Sequence, residues 1–114
     1  MSLELFYDRA CGSLEDTLRR LPGEGFVKKF LLRYLDDPSF SQLEEAVARS
    51  DWESAFRAAH TVKGVAQNLG LGDLYRSAYV LTEALRGGRE LTDRALLCAV
   101  ETAQAEVLAG IREI

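Results

Sequence analysis

Residues 52–69 read WESAFRAAHTVKGVAQNL, and the spacing of their apolar members decides the fold. Trp52, Ala55, Ala59, Val62, Ala66 and Leu69 recur at intervals of three and four, the period of a helix with one buried face. At about 100° per residue, His60, the only histidine of the chain, lies roughly 125° from the mean direction of that seam. It therefore points out of the core or along its edge. Phe56, His60, Lys63, Gly64 and Gln67 share one strip beside the seam, because residues three, four and seven apart occupy neighbouring turns.

The same period runs through the rest of the chain. Leu71, Leu74, Ala78, Leu81 and Leu85 form the seam of a helix predicted over about 73–86. Leu96, Val100, Ala103, Val107 and Ile111, extended by Ile114, form that of a helix over 93–113, entered through RGGRELTD with Thr92 or Asp93 as N-cap. Upstream, FVKKFLLRYL carries Phe26, Val27, Phe30, Leu31, Tyr34 and Leu35 as a broad apolar stripe that stops at DDPS. Ser41 and Glu44 have capping-box spacing ahead of a helix buried through Leu43, Ala46 and Val47. Leu3–Leu21 is a helical entry broken by Pro22, Gly23 and Gly25. Short connections favour antiparallel neighbours. The expected fold is all-α, an antiparallel four-helix bundle with an additional N-terminal helical segment, formed as one domain over 1–114.

Composition excludes several classes of function. At 114 residues there is material for one hydrophobic core. A net charge of −4, with Lys and Arg scattered among 18 acids, opposes a nucleic-acid surface. No apolar run is long enough for a membrane span, and the acidic start MSLELFYDRA is unlike a signal peptide, so a cytoplasmic protein is expected. Cys11 and Cys98 have neither metal nor disulfide-framework spacing and read as reduced thiols. A histidine-cluster metal site is opposed by the absence of a second histidine.

What remains is the strip around His60. Glycine inside a helix costs about 1 kcal/mol relative to alanine, so Gly64 requires a reason. One reason is close helix–helix packing. The other is that it clears space one turn from the imidazole for an incoming group, with Lys63 supplying a mobile positive charge beside it. A phosphoryl group fits the second description, since imidazole keeps a nucleophilic ring-nitrogen lone pair at neutral pH. Taken singly, an exposed histidine, lysine or glutamine carries no functional information; their joint placement does. A Ser-His-Asp hydrolase has no local signature here.

The stretch SDWESAFRAAHTVKGVAQNLGLGDL resembles the signature of histidine-containing phosphotransfer domains: an Asp-led helix, Ala-His-x-hydrophobic-Lys-Gly, and Leu-Gly shortly after. LRRLPGEGFVKKFLLRYL and FSQLEEAVARSDW are similar to the helices that precede that signature, so the resemblance spans roughly 14–86. It departs from the pattern where many members have Leu-Glu and this chain has Thr82 after Leu81. The resemblance implies that His60 is the phosphorylated nucleophile, that Lys63 compensates phosphate charge, that Gly64 gives steric access and that Gln67 adds polar support, with Phe56 in the partner-binding rim. It also implies a phosphoryl carrier without kinase or phosphatase activity of its own, binding no cofactor, with Mg2+ held by the partner. The implied partners are response-regulator receiver domains and a hybrid sensor histidine kinase. The alternative is a helical interaction module that binds a receiver or a helical partner without being phosphorylated. The initial methionine and complete set of helices lead us to expect a stand-alone protein.

Overall fold

The computed structural model describes residues 1–114, which form seven helices. These are α1 (Leu3–Arg9), α2 (Leu14–Arg20), α3 (Glu24–Tyr34), α4 (Ser39–Ala48), α5 (Trp52–Leu69), α6 (Gly72–Leu85) and α7 (Ala95–Ile111). The elongated body measures 40 × 23 × 21 Å. Helix α5 packs against both α4 and α6, and α6 against α7, giving the four-helix bundle, with α1–α3 laid against it. On the side between α4 and α7, Glu44 is pushed above the ordinary carboxylate range by desolvation and by its neighbour Glu101.

The helical seams appear where the spacing puts them, except that Leu96 and Ile114 are only half-buried and Ile114 lies past the end of α7. Ala55, Ala59, Val62, Ala66 and Leu69 of α5 are buried, with Trp52 half-buried at its start. Leu71, Leu74, Ala78, Leu81 and Leu85 are fully buried, and Val100, Ala103, Val107 and Ile111 complete the core from α7. Burial of Val, Leu, Ile and Phe side chains stabilises by about 1.5–3 kcal/mol each, which makes this shared seam the main source of stability.

Four expectations are corrected. The entry segment Leu3–Leu21 is two helices: Cys11 turns the chain at φ 51°, and the Ser13 side chain then accepts the Asp16 N–H at 3.1 Å to start α2. The Ser41–Glu44 capping box does not form, because α4 begins earlier, where the Asp37 carboxylate accepts the Ser39 N–H at 2.8 Å. Phe26 leaves the apolar stripe of α3 and is exposed, whereas Val27, Leu31 and Tyr34 are buried. Neither N-cap candidate before α7 holds that position, which falls to Arg94; the Asp93 carboxylate accepts the Ala95 N–H at 3.0 Å, and the helix starts two residues later than expected.

The two N-terminal helices close the C-terminal end of α5. A helix leaves its last carbonyls without intrahelical donors, and here side chains from α1 and α2 supply them. Arg20 Nη2 donates to the Gln67 carbonyl at 3.1 Å and its Nε to that of Asn68 at 3.2 Å. The Leu69 carbonyl accepts from Tyr7 Oη at 2.7 Å and Thr17 Oγ1 at 3.3 Å. Gly70, left-handed at φ 71°, then ends the helix.

This closure requires backbone to meet backbone. A Cβ on Gly72 would stand 1.9 Å from the Cys11 carbonyl oxygen, and one on Gly12 would stand 1.8 Å from that of Gly70. Gly72→Ala should therefore destabilise the fold by at least the ~1–3 kcal/mol typical of overpacking, read as a lower midpoint in urea; an unchanged midpoint would show that the α1–α2 turn does not seat there.

Candidate functional site

Helix α5 runs for 18 residues from Asp51, whose carboxylate accepts the Ser54 N–H at 3.2 Å. Hydrogen bonding to Ser54, through its side chain first and its backbone N–H second, holds the Asp51 carboxyl below its ordinary range. Between this cap and the four donors at the other end, α5 is fixed at both termini, and His60 lies near its middle. The imidazole is exposed on the side away from the seam, and its ring centroid is 6.1 Å from that of Phe56.

Helix α6 borders one flank of the strip. Lys63, half-buried, holds its ammonium 5.4 Å from the centre of the Tyr79 ring. The Arg86 guanidinium lies 5.2 Å from the Phe56 ring centre and grips Glu83 through two contacts, 2.8 and 3.1 Å. Hydrogen bonding to Arg86 holds the Glu83 carboxyl below its ordinary range, with a smaller contribution from the charge of Lys63. Phe56 is thus half-buried beneath Arg86, and the exposed apolar surface that borders Lys63 on this flank belongs to Tyr79. Spacing leaves Tyr79 off the α6 seam of Leu74, Ala78, Leu81 and Leu85, and that was the available signal for it. Thr82 is fully buried and donates to the Ala78 carbonyl, so its departure from the signature lies inside the bundle and away from the strip.

The other flank opens beside Gly64. Nothing stands within 4 Å of where its Cβ would be, so this glycine is not there to let a neighbouring helix approach. It lines a cleft of about 360 Å³ between α5 and α3, with Val65 and Asn68 from its own helix and Phe30 and Arg33 from the facing one. Gln67 is exposed at the C-terminal end of the strip, where Arg20 anchors its backbone carbonyl. All five residues singled out by spacing therefore share one surface: an uncovered imidazole, an adjacent ammonium parked on an aromatic ring, and open space one turn further on. Such an arrangement can present a nucleophile to a group carried by another protein and can offset an arriving negative charge.

Residues 37–112 match the model of the Hpt domain, and the chain belongs to that family, the histidine phosphotransfer modules of two-component systems. The match takes in α7, beyond the 14–86 span of the sequence resemblance, and begins after α3. The chain is 33% identical to the sensory/regulatory protein RpfC in two strains of Xanthomonas campestris pv. campestris, the alignment covering 62% of this chain and 13% of each relative. The chain thus corresponds to a small part of those proteins. No solved structure matches it significantly. No helix is long and apolar enough to cross a membrane, and both cysteines are free and exposed.

Because Gly64 faces open space, Gly64→Ala should stabilise the isolated domain by an amount approaching the helix-propensity difference of about 1 kcal/mol. Thermal melts of the two proteins measure this; a lower midpoint for the alanine variant would mean that the added methyl meets a neighbour after all.

Proposed function

We propose that His60 accepts a phosphoryl group from the aspartyl phosphate of a receiver domain and passes it to another receiver. The observation that carries this reading is the exposed His60 beside open Gly64, on the helix that holds the signature of a family of phosphotransfer modules. In the forward step a lone pair of the imidazole attacks phosphorus in line. The P–N bond forms as the P–O bond to the aspartyl carboxylate breaks, the carboxylate leaves as the anion, and the ring proton is released to water.

Positioning and charge neutralisation dominate phosphoryl transfer. On this reading α5, capped at both ends, positions the nucleophile, and Lys63 leaves the Tyr79 face to meet the phosphate. That move is cheap, since an exposed cation–π contact is worth about 0.5–1 kcal/mol and a charge-assisted hydrogen bond about 1.5–3 kcal/mol. Gly64 leaves the approach clear, and Gln67 adds a polar group at the strip's far end. Mg2+ belongs to the receiver, and this chain acts as a cytoplasmic carrier over 1–114, without kinase or phosphatase activity of its own. A hybrid sensor histidine kinase is the upstream source we propose for the phosphoryl group.

Receivers charged with acetyl phosphate should transfer label to the wild-type chain in an acid-labile, base-stable form. His60→Gln should abolish this while changing stability by no more than about 0.5 kcal/mol, as exposed substitutions do, whereas Lys63→Ala should slow transfer by roughly tenfold, the loss of one charge-assisted contact. Label that persists without His60 would assign the phosphoryl group to another residue. A wild-type chain that binds receivers and takes no label would instead identify a non-phosphorylated interaction module, and unchanged rates in the lysine variant would remove Lys63 from the mechanism.

A further inference from the structure

The cleft beside Gly64 has its outer wall in α3, a helix that precedes the residues matched by the family model. On α3, Phe26, Lys29, Phe30 and Arg33 follow one another at three, four and seven, so they line one strip. The two rings are neighbours, tilted by 32° with 6.1 Å between centroids. Lys29 Nζ lies 5.8 Å from the Phe26 ring centre, and the Arg33 guanidinium 5.6 Å from that of Phe30. Neither cation belongs to any of the ion pairs of the chain, which join Arg19, Arg49, Arg76 and Arg86 to acids on their own helices. Phe26 is 46% exposed. Glu24 and Asp36 stand beyond the ends of the strip and Asp37 lines the cleft next to Arg33, so the strip itself carries two cations and two aromatic rings in a chain whose net charge is −4.

We propose that this strip and its cleft form the edge that selects which receiver docks. It takes an apolar side chain of the receiver into the cleft and a neighbouring carboxylate onto Lys29 and Arg33. The inference rests on the phosphotransfer reading of His60. Two features commit it to a receiver. Gly64 belongs to both the cleft and the histidine strip, so a body that reaches the imidazole also covers the α3 edge. The charge gives the edge its sign as well, because Lys29 and Arg33 lie against aromatic rings and outside every ion pair of the chain, ready to take a carboxylate from the body that covers them. Exposed charges at the rim of an interface set partner choice and association rate more than they set chemistry.

The test uses the full chain and the receiver domains of the same genome, each charged with acetyl phosphate. For the receiver that transfers fastest to wild type, Lys29→Glu with Arg33→Glu should raise the half-saturating receiver concentration about tenfold or more and leave the saturating transfer rate within about twofold. Phe26→Ser should raise it by a smaller factor, and Lys29→Arg with Arg33→Lys should restore wild-type behaviour. With His60→Gln in the background to prevent chemistry, calorimetric affinity should fall with added salt more steeply for the cationic strip than for its reversed form. Unchanged half-saturation and affinity in the charge-reversed chain, with His60 still labelled, would overturn the proposal and leave the role of His60 standing. Receivers that bind and never label His60 would remove both. A concentration-dependent dimer that the charge reversal dissolves would assign the face to a second copy of this chain and overturn the proposal too.

Discussion

Helix α5 has to do two things with one sequence: bury a seam against α4 and α6, and keep an adjacent strip uncovered. The seam is narrow because three of its members are alanines, Ala55, Ala59 and Ala66, each fully buried. Small side chains let the flanking helices approach without reaching round to the far side of α5, so the strip at His60 stays open to solvent. A bulkier seam would push those helices outward, and a wider apolar face would draw a further element over the imidazole. The exposure of His60 thus follows from how its own helix is buried, and the rest of the bundle is arranged around that division.

The second constraint acts along the helix axis. On the function proposed above α5 positions the nucleophile, and it is secured by Asp51 at one end and by Arg20, Tyr7 and Thr17 at the other. Three of these four residues come from α1 and α2, which touch the bundle through close backbone packing at Gly12 and Gly72. The N-terminal helices therefore brace the end of α5, while α3 forms one wall of the cleft beside Gly64. Charge on the two flanks differs accordingly. Toward α6 Arg86 is paired with Glu83, whose charge Lys63 also feels, whereas on α3 Lys29 and Arg33 rest on aromatic rings without acidic partners.

Much of this was legible in the sequence, and the reasons differ by element. The seams of α5, α6 and α7 read correctly because their three-and-four spacing repeats over at least four turns, enough for the helical period to dominate. The strip of Phe56, His60, Lys63, Gly64 and Gln67 followed from the same arithmetic. Short elements did not read as well. The break between α1 and α2 depends on Cys11 adopting a positive φ, which composition does not announce, although Gly12 and Ser13 together form a stop and a start. Ser41 and Glu44 have the right spacing for a capping box, yet a carboxylate four residues earlier, Asp37, captured the first free N–H and moved the start of the helix. Contacts between helices were out of reach: that Arg86 covers Phe56, that Lys63 rests on Tyr79 and that Gly64 faces a cleft are facts of packing, which periodicity along one helix does not encode.

The central claim is that the seam of α5 leaves His60 as the group that carries phosphate. It is tested most directly by phosphorus-31 NMR of the chain after transfer from a charged receiver, followed by peptide mapping of the labelled product. The account predicts a single phosphoramidate resonance, lost in acid and stable in base, mapping to the peptide that contains His60. A phosphate ester or acyl phosphate at any other residue, or no covalent phosphorus under conditions in which the receiver discharges, would contradict it.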